Sequence, residues 1–288
     1  MTVLRQFCRN LPIMARRLLE ERPLTPGGAT DSQGKGYSMP YGLYISAEGA
    51  LTQGLRLENI ASNLANANTV GFKRDLAVFQ ARYAEETERG VDTPGSGSLN
   101  DLGGGVDAAG VFTDFSQGRI ENTYVPTDMA LEGPGYFVVR RNGQDFLTRA
   151  GNFMLTAAGA LVTQEGDPVI SDERTPVVIN PQEGPWQVNA YGTMIQGGNK
   201  IDLAIVQPQS PGDLVKVGDN MFAPLSPPRP LLPVERRVQS GALEGSTVNA
   251  ISEMTNMIES SRVFEANVNM VRSQDTILGE LVSRVLHA

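Results

Sequence analysis

Residues 248–278 read VNAISEMTNMIESSRVFEANVNMVRSQDTIL, and the spacing of their apolar and small side chains decides what kind of molecule this is. Ala250, Met254, Met257, Ser261, Phe264, Val268, Val271, Asp275, Leu278, Val282 and Val285 alternate steps of four and three, the interval that places side chains on one face of a helix. Ile251 and Ile258 widen that stripe. The pattern predicts a single helix from about Val248 almost to the last residue, ~57 Å long at the rise of an α-helix. A small sheet domain cannot hide a stripe of that length. It requires another helix, from this chain or from a second subunit. Asp275 interrupts the seam, and we expect it to be paired or to face solvent.

The opposite end of the chain carries a matching pattern. Leu43, Ala47, Ala50, Gly54, Leu57, Ala61 and Leu64 also step by four and three, which predicts a helix over about 43–66 whose small residues admit a close neighbour. Asn59, Asn63 and Asn66 form a second line beside that seam. Asparagine is a poor helix former, so three amides within two turns need a reason. They are either a solvated face or amides at an interhelical boundary, where an unpaired amide is costly and so fixes register. The stretch 66–71 (NANTVG, including Asn68) ends the helix, and Gly71 suits a turn with positive φ. Phe72 then begins an extended or bent segment.

Between the two ends the periodicity changes. Tyr136 to Arg140 (YFVVR), an Asn142-Gly143 turn and Asp145 to Thr148 (DFLT) make a hairpin, because Asn-Gly supplies the positive φ that a two-residue turn needs. Phe153 to Thr156 and Ala160 to Thr163 suggest a second one. Further strand-like runs lie at 177–180, 186–189, 193–196 and 200–206, and residues 224–233 (PLSPPRPLLP) form an extended connector leading out. Short strands at regular intervals indicate a sandwich or barrel-like sheet domain. The expected fold is therefore α+β. A discontinuous, coiled-coil-like helical domain forms from residues 39–85 and 246–288, and a central all-β domain spans 106–245. Residues 86–105, rich in glycine and serine, are expected to be a flexible linker between them.

Composition narrows the functional classes. The chain has 288 residues and a net charge of −8, and it has no Lys/Arg-rich block with interleaved aromatics, which argues against a nucleic-acid partner. Cys8 is the only cysteine and His287 the only histidine. One chain therefore cannot assemble a disulfide framework or a cysteine/histidine metal site, and no cofactor is expected. The same scarcity removes the usual donors for His-based acid/base or Cys/His nucleophilic catalysis. Glu85-Glu86 and Asp172-Glu173 are sequence neighbours, the habit of a solvated surface. Gly103-Gly104-Gly105 and Gly133-Pro134-Gly135 lack the strand–turn–helix setting of a phosphate loop. There is no apolar run of transmembrane length. A surface adhesin with a coiled-coil stalk is a further reading, but it calls for a cleavable signal and an uninterrupted heptad array.

The first residues stand apart. Residues 1–38 hold six basic and three acidic residues, a charge of +3 that leaves −11 for the remainder. The stretch 11–19 (LPIMARRLL) is broken by Arg16 and Arg17 and is followed by no small-residue cleavage site, so a cleaved signal peptide is not expected. Residues 23–38 are polar, glycine-rich and proline-rich, the composition of a disordered tether. Alternatively translation begins at Met39, because Gly34-Lys35-Gly36 requires purine-rich codons placed as a ribosome-binding site would be.

With both ends read, the chain resembles the flagellar rod and hook family of axial proteins. The likeness rests on 59–74 (NIASNLANANTVGFKR), and on Val248, Asn249, Glu253, Met254, Ile258, Arg262, Phe264, Glu265 and Asn267 near the C-terminus. It also rests on 129–139 (MALEGPGYFVV), 148–152 (TRAGN) and 243–246 (LEGS). Phe264 departs from the tyrosine usual in the family. Rod proteins without a large inserted outer domain fit the length best: counting from Met39 gives 250 residues, close to the proximal-rod branch, with the distal-rod branch as the alternative. The resemblance implies a structural subunit of the basal-body rod, exported by the flagellar type III apparatus without a cleaved signal and stacked in the periplasm on copies of itself and on other rod proteins. It places assembly contacts on Ala47, Ala50, Gly54, Leu57, Asn59, Ala61, Asn63, Leu64, Asn66, Asn68, Gly71 and Phe72, and on Val248, Asn249, Met254, Met257, Ile258, Phe264, Val268, Val271, Leu278 and Val282.

Overall fold

The computed structural model describes residues 41–83, 103, 105–180 and 183–286. The expected tether or alternative start at 1–38 and nearly all of the 86–105 linker lie outside these residues. The chain divides into two compact units, 1–44 and 45–288. Only the opening turn of a helix is described in the first, and all contacts reported below lie within the second.

Both terminal helices form where the heptad spacing placed them. Helix α1 runs Tyr41–Ala65 and helix α2 runs Ala250–Leu286, 37 residues and therefore ~55 Å. Asn249 starts α2: its side-chain oxygen accepts from the N–H groups of Ile251 and Ser252 at 3.1 and 3.2 Å, which satisfies donors that the first turn leaves open. Asp275 faces solvent, as its place in the pattern required. No helix among the described residues is long and apolar enough to cross a membrane.

The middle is β-rich, so the fold is α+β. Its main element is a six-stranded antiparallel sheet in the order β13 (Leu214–Gly218), β14 (Met221–Pro224), β6 (Gln144–Thr148), β5 (Tyr136–Arg141), β12 (Ile205–Gln207), β15 (Arg229–Pro230). The β5–β6 hairpin closes through Asn142 and Gly143 at φ 51° and 80°, the primed turn that matches strand twist. Strand β5 is buried on both faces. Phe137 and Val139 enter one apolar cluster with Leu161, Leu203 and Met221, while Tyr136 and Val138 enter a second with Leu147, Ile170 and Phe222. The sheet is thus a middle layer, which explains why YFVVR reads as a continuous apolar run. A three-stranded sheet, β11 (Asn199–Asp202), β10 (Thr193–Gln196), β9 (Trp186–Val188), lies beside it in sequence. Three short ladders complete the domain: β16 (Val238–Ser240) with β4 (Met129–Leu131), β17 (Ala242–Glu244) with β3 (Ile120–Asn122), and β7 (Met154–Leu155) with β8 (Leu161–Val162).

Three expectations need correction. The 200–206 run is two strands, β11 and β12, because Leu203 and Ala204 are wholly or almost wholly buried between them and turn the chain into the core. The 177–180 run makes only an isolated bridge, Ala160 with Val178. The 224–233 stretch does not simply lead out of the sheet. Leu231 is buried and its N–H donates to Ile205 O at 2.9 Å, and the buried Arg236 guanidinium clamps the segment through Leu231 O, Leu203 O and Asp172 at 2.6–2.9 Å. One further pairing was not foreseen. Strand β1 (Asp75–Ala81) pairs with β2 (Val106–Thr113), so these residues form a separate two-stranded ribbon beside α1 instead of opening the sheet domain.

Candidate functional site

The motif stretches, scattered from residue 59 to residue 253, converge on one buried junction where the ends of the two helices meet the β domain. The chain enters it through the end of α1. Asn66 closes the last turn: its amide donates to Ser62 O at 2.8 Å and its oxygen accepts from the Thr69 hydroxyl at 3.2 Å. Gly71 then takes φ +68°, and its N–H donates to Glu244 O at 2.7 Å. The chain leaves alongside. Thr247 donates its N–H to Phe72 O at 3.1 Å and accepts from Arg74 N–H at 2.9 Å, and α2 begins three residues later.

At the centre sits a charged triad. Lys73 and Glu244 are fully buried, and Arg149 nearly so. One Glu244 carboxylate oxygen accepts from Lys73 Nζ at 2.6 Å and from Gly118 N–H at 2.8 Å; the other accepts from Arg149 at 3.2 Å. Lys73 also donates to Ser116 O at 2.6 Å, and Arg149 to Leu131 O and Gly133 O at 3.3 and 2.6 Å. The Arg149 guanidinium lies 4.9 Å from the centre of the Tyr136 ring. Burial pushes the Lys73 ammonium below its ordinary pKa, against the pull of Glu244. Burial likewise pushes the Tyr136 phenol up. GFKR, TRAGN, LEGPGY and LEGS are therefore pieces of one polar core. Its members tie together parts of the chain that are far apart in sequence.

A second polar network fixes α1 to the ribbon. Asn63, almost fully buried, accepts from Asp75 N–H at 3.0 Å and donates to Asp75 O at 2.7 Å and to the Asn59 side chain at 3.1 Å. Asp75 in turn accepts from Thr113 and from Lys216 Nζ, both at 2.8 Å. Lys216 also sits 3.8 Å above the centre of the Phe72 ring. Asn63 thus pairs with the ribbon strand and is not part of a solvated face. A side-chain amide copies the donor–acceptor pair of a peptide, so it can pair with an extended strand. On the other side of the junction Arg74 reaches Glu253 of α2 at 2.6 Å, with Glu253 only 1% exposed.

The helices run antiparallel, since a Cβ on Gly49 would lie 3.2 Å from Asn267 and one on Gly54 would lie 3.9 Å from Phe264. The face of α2 turned inward is displaced from the expected stripe. Glu253 and Ser260 are buried and Asn267 and Gln274 half-buried, each seven residues from the next. Oxygens of Glu253, Ser260 and Gln274 on that face lie buried without a hydrogen-bond partner among the described residues. Met257, Phe264, Val268, Val271 and Leu278 are half-buried, whereas Met254, Ile258 and Val282 face solvent. On α1, Ala47, Ala50, Gly54, Leu57 and Leu64 are half-buried and Ala61 is exposed, while Thr52 and Ile60, which lie off the expected seam, are buried. Meanwhile Val263, Met270, Ile277 and Leu281 form a second line along α2 and are between 42% and 55% exposed.

Comparison with known proteins places these motifs. Residues 43–73 match the family described as flagella basal body rod protein, 130–209 the flagellar hook protein FlgE/F/G D1 domain, and 239–284 the flagellar basal body rod FlgEFG protein C-terminal region. The chain is 31% identical over 249 residues to the flagellar basal-body rod protein FlgF of Caulobacter vibrioides, covering 86% of this chain and 98% of that one. It is 33% identical over 255 residues to FlgG of the same organism, covering 82% and 96%. The flagellar hook protein FlgE of Treponema pallidum is 33% identical over 111 residues, 38% of this chain and 24% of its own length.

Proposed function

The chain belongs to the flagellar basal-body rod protein family, and from that premise we propose that it is a proximal-rod subunit of the FlgF type which polymerises through its two terminal helices. It is a structural subunit of the flagellar basal body. In this reading the subunit leaves the cell through the flagellar type III apparatus, stacks in the periplasm on copies of itself and on other rod proteins, and carries torque instead of catalysing a reaction. The distal-rod alternative is supported by the FlgG relative, which is as similar as the FlgF one.

The observation that carries the proposal is the mismatch between the faces of α2. The face turned toward α1 is lined with Glu253, Ser260, Asn267 and Gln274, whereas Val263, Met270, Ile277 and Leu281 are left in water. Apolar side chains in water and unpaired polar atoms in the seam both disfavour an isolated helix pair, and buried polar atoms without partners cost about 1–3 kcal/mol each. Helices of this kind gain order from neighbours, and a head-to-tail contact between them builds an open helical assembly. Met270→Asp tests this directly. The side chain is half in solvent in the single chain, so the melting temperature should stay near that of the parent. Swimming should be lost, and the variant should be missing from purified basal bodies. Motile cells carrying Met270→Asp would remove α2 from the assembly surface. Cross-linking the parent protein to its axial neighbours in basal bodies separates the proximal from the distal position.

A further inference from the structure

The segment that turns α1 into the ribbon, residues 70–75, is gripped by one hairpin of the six-stranded sheet. Strands β13 and β14 join through Asp219 and Asn220 at φ 49° and 54°, a two-residue primed turn. Val217, just before that turn, is the extra residue of a bulge, and a bulge bends the end of a strand. The tip is fastened to its own sheet: Arg141 donates to Asp219 at 2.7 Å, and the Thr148 hydroxyl donates to Asn220 O at 2.9 Å. It also holds the turn segment. Asn220 Nδ2 donates to Val70 O at 2.7 Å. Lys216 Nζ donates to Lys73 O at 3.0 Å and to Asp75 at 2.8 Å while it lies above the Phe72 ring.

Among the described residues, these are the hydrogen bonds that join 70–75 directly to the six-stranded sheet. The other bonds of the segment go to α1, the ribbon, residues 114–116 and the chain leading into α2. Beside the hairpin tip lies an open cleft of about 640 Å³. Ser62, Asn66 and Thr69 line it from the end of α1, and Thr163, Gln164 and Glu165 line it from the loop after β8. A packed interface resists closure because side chains already fill it. An open cleft offers no such stop, so the angle between α1 and the sheet depends on polar contacts at its edge.

We infer that the β13–β14 hairpin is a clamp. Lys216 and Asn220 are its positioning residues, and they hold the limb made of α1 and the ribbon at a fixed angle to the six-stranded sheet. When the clamp is released, the limb swings into the cleft, a hinge closure about residues 70–75. The inference goes beyond the rod reading and is tested on the purified chain, so either can fail without the other.

The test measures the distance across the cleft in the full-length chain. Spin labels are attached at Glu58→Cys on α1 and Glu165→Cys on the facing loop, both exposed positions, in a Cys8→Ser background. The parent should give one narrow distance. Lys216→Met keeps an aliphatic stem over Phe72 but loses the bonds to Lys73 O and Asp75. Asn220→Gly keeps the primed turn, since glycine accepts positive φ, and loses the bond to Val70. Each should add a shorter and broader component, largest in the double variant, whereas Lys216→Arg should retain the parent distance. The melting temperature of each single variant should fall by only about 2–4 °C, the scale of one partly exposed contact. One narrow, unchanged distance in the double variant overturns the clamp. So does a change in distance that appears only when cooperative unfolding is lost, because the two residues would then merely hold the fold.

Discussion

Replacing Glu244 with alanine is expected to lower the folding stability of the chain by about 3–5 kcal/mol, the cost of removing one partner from a buried ionic group. Glu244 is the only anion contacted by both Lys73 and Arg149 among the described residues, at 2.6 and 3.2 Å. Without it, two cations remain where water cannot reach them, and Gly118 N–H loses its acceptor. Glu244→Gln preserves shape and some hydrogen bonding but not charge, so it should fall between alanine and the parent. The two orphaned cations also differ in a way that can be measured. Arginine does not deprotonate in proteins, whereas the Lys73 pKa already lies below 10.5 in the folded chain and falls further once its counter-charge is gone. In the window between that folded value and 10.5 the unfolded state holds more protons than the folded one, so stability rises with pH. The deficit of Glu244→Ala should therefore shrink, without vanishing, as pH is raised toward 10.5. Urea unfolding at a series of pH values reads both effects. A deficit below about 1 kcal/mol, the scale of an exposed pair, would show that the triad is hydrated and does not hold the junction.

The parts of the molecule that could be read from the sequence are those whose cause is local. Heptad spacing gave both helices nearly to the residue, Asn142-Gly143 gave the hairpin turn, and Gly71 took the positive φ that its position after NANTV demanded. Contacts between distant residues were not legible. Glu244 lies in the LEGS stretch that carries part of the family likeness, but no local pattern gives it a structural role, because its partners are 171 and 95 residues away in the chain. Asn63 was noticed for its poor helix propensity, but its partner Asp75 lies on a strand that exists only because Val106–Thr113 returns to pair with it. On α2 the side turned toward α1 coincides only in part with the apolar stripe, for a related reason. Apolar periodicity identifies the side of a helix that avoids water in the finished assembly. Within one chain that need not be the side turned toward α1, and here polar side chains line much of it.

The same junction supplies the second large effect, at Gly71. Two separate costs meet there. An alanine at φ +68° pays the left-handed penalty, about 1–2 kcal/mol. Its Cβ would also lie 2.6 Å from Ala150 N and from the Arg149 carbonyl carbon, backbone that cannot move without dragging Arg149 from Glu244. Overpacking of this kind adds about 1–3 kcal/mol, so Gly71→Ala should destabilise by about 2–5 kcal/mol in total. Gly143 isolates the first cost: it has φ +80°, but nothing lies within 4 Å of an added Cβ, and Gly143→Ala should lose only the conformational share. The difference between the two variants in one denaturant series measures the close approach at the junction. Equal losses would mean that the chain can step away from residues 149–150 freely, and the junction would then be too soft to set the direction of the helices. If the difference is present, Gly71→Ala should also fail to support swimming even at a temperature where the sheet domain remains folded, because the residue joins α1 to the triad. Gly143→Ala, at the far end of the β5–β6 hairpin, should swim normally under the same conditions.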